Sequence, residues 1–396
     1  MISSFLATLL GLSLGIVVFV YVGYPLLLLV LTAGRRYRAP RDLSDEELPS
    51  VSFVVAAYNE EMVIEEKVRN CLAIDYPAGK LEFFFVSDST DGTNDILRRY
   101  ESSRIRVKIL PERRGKLAAI GEIYPLCKRD VTVMSDANTY YYPDSVRKLV
   151  RHFSNPAIGA VTGDVRLLKS KQRFGEGEGL YYRYERKLQE LESALWSTVA
   201  IDGGMYAVRR DLWRHTANSL VSDDFVTGMT VGRQGYRIIF DPEAVAEEDP
   251  TPTDDMEFRR KIRVIAYAVQ SLVEREGLPR WHQGRFLLAY VSHKLLRWFA
   301  PVFLLLALVS AAALSFYSTV GRVLFAAQLL FYVLALAGWR FQQLESKIVR
   351  VPYYFSMVNL AALLGVIRGL RRRQKSTWVR TERSAVLTSR GPNAPA

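Results

Sequence analysis

Asp136 and Asn138 close an apolar run that starts at Val131, and an acid and an amide two residues apart on extended backbone point to one side and could share a hard cation. Val131, Val133 and Met134 suit a buried strand, which puts Asp136 at the kind of carboxyl edge where open α/β sheets hold ligands. Mg²⁺ or Mn²⁺ carrying a diphosphate is the natural guest of such a pair. An ordinary strand-to-turn exit uses the same residue types.

The preceding elements repeat one pattern. Val51 to Ala57 reads as a strand buried on both faces and stops at Tyr58-Asn59-Glu60 before a helix. Leu81 to Val86 is the next strand, closing in Ser87-Asp88-Ser89-Thr90-Asp91, and Val107 to Leu110 leads to Gly115-Lys116. Strand, polar loop and helix in alternation predict a mostly parallel, doubly wound α/β sheet with its site along the C-terminal edge. Gly115-Lys116 lacks the glycine spacing of a P-loop, and Gly175, Gly177 and Gly179 read as part of a charged loop. Further strands are expected at Val161 to Val165, after Gly203-Gly204, and at Gly235 to Phe240, with Ala244 to Pro250 leaving the domain. A helix opens at Ser222-Asp223-Asp224, where Ser222 or Asp223 suits an N-cap.

The 396 residues, 49% hydrophobic and 24% charged, leave room for one large domain and membrane helices. Phe5 to Ala33 carries no charge and is long enough to span a bilayer, so residues 1–33 read as a retained anchor. Arg35, Arg36, Arg38 and Arg41 then hold residues 34–50, and the domain at 51–250, on the cytoplasmic side. The formal charge of +12 gathers beside apolar segments, which suits anionic membrane lipids, and no nucleic-acid motif accompanies it. Cys71 and Cys127 read as core thiols.

Residues 251–297 are expected to lie along the membrane surface, because Met256 to Glu276 is amphipathic with Arg259, Arg260, Lys261 and Arg263 at its start. Candidate spans follow within 298–370, at Trp298 to Tyr317, Val323 to Phe341 and Val351 to Leu370. Three spans would put the basic tail, 371–396, outside, whereas Arg371, Arg372, Arg373 and Lys375 favour the inside. Val351 to Leu370 is the most polar of the three and is expected to be re-entrant or interfacial, and Gly391 to Ala396 to be disordered.

Taken in order, Tyr58-Asn59-Glu60, Asp88-Ser89-Thr90-Asp91, Gly115-Lys116, Ser135-Asp136-Ala137-Asn138, Gly203-Gly204 and Ser222-Asp223-Asp224 resemble the motifs of membrane-bound family 2 glycosyltransferases, which include hyaluronan, cellulose and poly-N-acetylglucosamine synthases. The resemblance covers about Val51 to Arg263. It implies a GT-A fold and inverting transfer from a nucleotide-sugar donor, a UDP-sugar being expected, to a growing polysaccharide. Tyr58, Glu60, Asp88, Lys116, Asp136 and Arg263 would bind the donor, although a solvated Lys116 and a turn-forming Asp88 are open alternatives. Gly203, Gly204 and Asp223 would face the acceptor, Asp224 would be the catalytic base, and Asp136 and Asn138 would hold a divalent cation, Mg²⁺ or Mn²⁺. Asn138 stands where the family commonly has an aspartate, so Asn138→Asp is expected to be tolerated and to tighten the metal. Arg260 and Val264 replace the Gln and Trp of the Gln-x-x-Arg-Trp motif found in processive relatives. Single transfer to a lipid-linked acceptor is therefore the alternative, and a catalytically silent membrane scaffold the reading from another class.

Overall fold

The computed structural model describes residues 1–167, 175–213, 223–249, 253–275, 278–341 and 346–374, and the side chains of 175–178 and 223 lie outside that description. Ser222, Pro250, Lys375, the tail to Ala396 and the side chain of Asp223 are thus outside the described residues.

The chain opens with α1 (Ile2–Val18), a π-helical turn (Phe19–Gly23) and α2 (Tyr24–Thr32), one apolar rod from end to end. The α/β part then runs β1 (Val51–Ala57), α3 (Ile64–Leu72), β2 (Leu81–Ser87), α4 (Thr93–Arg99), β3 (Ile105–Ile109), α5 (Lys116–Ile123), β4 (Val131–Asp136), β5 (Thr139–Tyr141), α6 (Ser145–Val150), β6 (Ile158–Leu167), α7 (Gly175–Leu195), β7 (Met205–Arg209), α8 (Asp223–Arg233) and β8 (Arg237–Glu248). After α9 (Asp254–Val273), α10 (Gly284–Ala289) passes through a π-helical turn (Tyr290–Leu295) into α11 (Leu296–Ser315), followed by α12 (Thr319–Arg340) and α13 (Lys347–Leu370).

The strands form one sheet in the order β3-β2-β1-β4-β7-β6-β8-β5. The pairs β3/β2, β2/β1, β1/β4 and β6/β8 are parallel, while β7 runs antiparallel to both neighbours and β5 antiparallel to β8. Register positions the site: Val51 stands opposite both Leu81 and Val131, so β1, β2 and β4 end level and Tyr58, Asp88 and Asp136 leave one edge. The central strands β1, β2 and β4 are largely apolar because both faces are covered. Phe53, Val55, Phe83 and Phe85 pack in one core, and Val54, Phe84, Val86 and Met134 in the other.

Three sequence expectations change here. Ala244 to Glu248 do not leave the domain, since β8 continues to Glu248 and pairs with the additional strand β5, while Pro250, the end of that expected exit, lies outside the described residues. Gly175, Gly177 and Gly179 open the helix α7 rather than a loop. The boundary at 297/298 falls inside one continuous helix, Gly284–Ser315, whose polar His293 and Lys294 had read as interfacial. Those residues stand in the π-helical turn, where His293 is buried between Glu185 and Glu192 at 2.9 and 2.8 Å.

Helix α9 is amphipathic, but its apolar stripe is covered by protein rather than by lipid: Ala268 and Val269 pack with Trp298 of α11 and Val366 of α13. Amphipathicity reports that a face is buried, not what buries it. Gly365 and Gly369 let the two backbones approach, because a Cβ on Gly365 would lie 2.9 Å from the Ile265 Cβ and one on Gly369 2.7 Å from the Ala266 carbonyl oxygen. Among the described residues four helices, Ile2–Thr32, Gly284–Ser315, Thr319–Arg340 and Lys347–Leu370, are long and apolar enough to cross a membrane. The last is one unbroken helix of 24 residues, not a re-entrant hairpin, and the polarity that set it apart is used internally. Asn359, for example, accepts from the Tyr21 hydroxyl at 3.3 Å and donates to the Phe355 carbonyl at 2.9 Å.

Candidate active site

The level ends of β1, β2 and β4 bring the sequence-predicted residues together. Asn59 takes a left-handed backbone, φ 55°, and its amide N–H donates to Ser89 Oγ at 2.8 Å while its side-chain oxygen accepts from Thr90 N at 2.8 Å. The loops after β1 and β2 are thereby joined. Glu60, buried beside them, donates its backbone N–H to Thr93 Oγ1 at 2.8 Å.

One oxygen of Asp88 accepts from the backbone N–H groups of Arg114 and Gly115 at 2.9 and 3.0 Å. That clamp fixes the loop before α5, where Gly115 turns with φ 87°, a conformation that costs glycine least. The same loop lays the Arg113 guanidinium over the Tyr58 ring at 3.8 Å and starts α5 at Lys116.

Lys116 reaches across the edge. Its Nζ lies 2.7 Å from Asp136 Oδ1 and 3.5 Å from the Gly203 carbonyl oxygen. Gly203 in turn lies against Asp224, because a Cβ placed on it would come 3.1 Å from Asp224 Oδ2. Asp224 Oδ1 accepts the Phe225 N–H at 2.7 Å at the start of α8. Asp136, Lys116, Gly203 and Asp224 thus form one continuous set of contacts. Gly204 is needed for a different reason, since its Cβ would strike Thr139 Oγ1 at 2.7 Å.

Asn138 is buried and donates its amide Nδ2 to Glu248 Oε1 at 2.9 Å, which leaves its carbonyl oxygen as the donor atom available to a cation. Burial first, then the charges of Asp136 and Asp202, push the Glu248 carboxyl up to about 7. Asp202 is also raised, by burial and by Asp136, although it accepts the Gly204 N–H at 2.9 Å. Asp202 and Glu248 were missed in the sequence. Glu248 could have been found by continuing the apolar Ala244, Val245 and Ala246 as strand, which aims the acid that follows at the edge.

Beneath Asp136 lies Lys67 of α3, wholly buried, with Nζ donating to Ser135 Oγ at 2.7 Å and to the Thr139 carbonyl. Burial pulls its ammonium down to about 8. On the opposite wall Arg263 of α9 is half-buried, near enough to Asp136 to feel its charge, and burial lowers its pKa. Arg260, at the position of the motif's Gln, donates to Glu257 at 2.7 Å and to the Tyr182 hydroxyl at 2.8 Å.

Among the described residues no three acid, His or Cys side chains gather tightly enough to hold a metal alone. Oxygen donors are nevertheless what this edge offers, with Asp136, Glu248 and the Asn138 carbonyl nearest. Mg²⁺ and Mn²⁺ suit a site that supplies one or two carboxylates and leaves the remaining positions to water and phosphate oxygens.

The sheet order, the crowded C-terminal edge and the helices beside it define a nucleotide-binding α/β domain joined to apolar helices. The sequence model of "Glycosyltransferase like family 2" matches residues 49–266, more than half of the chain, and the chain belongs to that family. It is 25% identical over 215 residues to a poly-beta-1,6-N-acetyl-D-glucosamine synthase of Staphylococcus aureus, covering 52% of this chain and 51% of that protein. To a beta-monoglucosyldiacylglycerol synthase of a Nostoc species it is 28% identical over 269 residues, covering 63% and 51%. The chain thus spans about half the length of these curated relatives. Among solved structures, a mannosyltransferase of Pyrobaculum calidifontis in complex with GDP-Man and Mn²⁺ superposes with a TM-score of 0.71 at 23% identity, over 94% of this chain and 100% of that one. The fold is the GT-A fold that the sequence implied, with apolar helices attached.

Proposed function

We propose that the protein transfers a sugar, with inversion, from a nucleotide-sugar donor to a saccharide acceptor at the membrane, the α/β domain lying on the cytoplasmic side. The observation that carries this reading is the run of contacts from Asp136 through Lys116 and Gly203 to Asp224, which sets one carboxylate at a cationic pocket and a second beside a glycine turn. Tyr58, Glu60 and Asp88 border the nucleoside end, and Lys116 and Arg263 offer positive charge to the diphosphate. A divalent cation held by Asp136 and its neighbours would neutralise charge developing on that leaving group. Asp224 takes the proton of the attacking hydroxyl as its oxygen bonds to the anomeric carbon and the bond from that carbon to the diphosphate oxygen breaks.

Extension of a polysaccharide is favoured by the likeness to the poly-N-acetylglucosamine synthase. Single transfer to a lipid acceptor has its own support in Arg260 and Val264, which stand where processive relatives carry Gln and Trp. Membranes containing the protein, incubated with a panel of labelled nucleotide sugars, should yield a long product under the first reading and a lipid-sized one under the second. No product from any donor would leave the silent scaffold. Activity that persists in excess chelator would remove the cation from the mechanism. Impermeant thiol reagents should fail to reach a cysteine placed near residue 45 in intact cells if the domain is cytoplasmic.

A further inference from the structure

Both π-helical turns among the described residues face one cavity of about 710 Å³, a size typical of ligand pockets, which run from about 300 to 1,000 Å³. Tyr21 and Val22 enter it from the first turn, His293 and Lys294 from the second, and Phe355 and Val358 from α13. A π turn gives up regular helix spacing and is frequent where a side chain must be re-aimed for function. More than half of its lining residues come from helices apolar enough to cross a membrane, and the rest from α7 and α9.

The charges in the cavity are unequal in their pairing. Glu185 is matched by His293 at 2.9 Å and by Arg297, while Arg260 and Lys261 share Glu257 at 2.7 and 3.1 Å. Lys294 makes no hydrogen bond or ion pair with any other described residue, although it is half-buried. Glu185, Glu192 and Asp224 act on this ammonium from a distance, with Arg297 opposing them, but none of them touches it, and a buried charge in a segment apolar enough to cross a membrane generally serves a function. The polar end of the cavity also adjoins the site: Phe225, next to Asp224, packs its ring 5.6 Å from that of Trp298 in the cavity wall, and the charges of Asp224 and Glu248 are felt by Lys294 and Arg260.

We propose that this cavity holds the acceptor, and that the acceptor is a lipid with a phosphate between its apolar chain and its reacting hydroxyl. The chain lies between the Phe19–Gly23 turn and α13, the phosphate meets Lys294, and the hydroxyl beyond it reaches Asp224. The inference rests on the sugar-transfer reading of the site, and it names the anchor that the saccharide acceptor carries.

The test uses the full purified chain in nanodiscs and two probes with the same photoreactive acyl chain, one a phosphatidylglycerol and one a diacylglycerol. Mass spectrometry should find the phosphatidylglycerol probe joined to α13 near Val358 about tenfold more than the diacylglycerol. Lys294→Met, which keeps length and removes a buried charge without burdening the fold, should erase that preference, and Val358→Trp should block both probes. Equal labelling by the two probes, or a preference unchanged in Lys294→Met, overturns the proposal. So does displacement of the probe by inorganic phosphate, which would mean an anion site with no part for the chain. Binding of the donor panel is measured in parallel on the same wild-type sample. Failure to bind any donor would defeat the sugar-transfer reading while the labelling result stood separately.

Discussion

Asn138 donates its side-chain N–H to Glu248 across the β5/β8 pairing, at 2.9 Å, in a register that sets Thr139 opposite Glu248. The amide that stands where the family commonly has an acid is therefore matched to a second acid from a distant part of the chain.

That contact reverses the expectation for Asn138→Asp. A carboxylate at the same position would face Glu248 at hydrogen-bond distance, and two carboxylates that close must share a proton. The variant should lose about 1–3 kcal/mol of stability at pH 8, the cost of removing a buried donor, and recover most of it near pH 5. Chemical unfolding at the two pH values checks this, and equal stability to wild type at both would mean that a cation or water separates the pair.

Glu248 gives the protein a pH dependence of its own. Its carboxyl titrates near 4.5 when unfolded and at about 7 when folded, so between those values the folded state holds more protons and stability falls as pH rises. Glu248→Gln has no proton to lose. Without cation or donor, its unfolding free energy should be flatter across that window and exceed wild type at pH 8 by at most about 3 kcal/mol. An identical pH slope in both proteins would contradict the assignment.

Lys67 positions the Asp136 turn without reaching the reacting atoms. It binds Ser135 and the Thr139 carbonyl, on either side of Asp136 and Asn138. Lys67→Met fills the same buried slot but releases both anchors, and a site displaced by an ångström can lose about 10²-fold in rate. Turnover should fall by that order while the unfolding transition remains cooperative. Unchanged turnover would show that the loop holds its shape without the lysine.

Asp224→Asn keeps size and removes the proposed base, and turnover should drop by about 10²- to 10⁴-fold with donor binding nearly intact. Gly203→Ala should act through the same carboxylate, because its new Cβ would come 3.1 Å from Asp224 Oδ2. Asp223→Asn should do less. If it abolishes turnover while Asp224→Asn does not, the base is the neighbouring residue.

Much of the sheet was legible in the sequence because its strands are covered on both faces and so read as uninterrupted apolar runs: Val51–Ala57 is the predicted strand residue for residue. Local motifs carried Asp136, Lys116, Gly203 and Asp224 for the same reason, each lying within a few residues of a strand or helix end. Residues whose role depends on a distant partner were not legible. Glu248 fell in the expected exit of the domain until β5 paired with it, and nothing local to Lys67, between Glu66 and Val68 on its helix, marks it as buried beneath Ser135 and Thr139. The apolar face of α9 announced burial, but only tertiary packing decided that Gly365 and Gly369 of α13, rather than lipid, would cover it. Periodicity records which side of an element avoids water; which surface meets that side is set by contacts far apart in the chain.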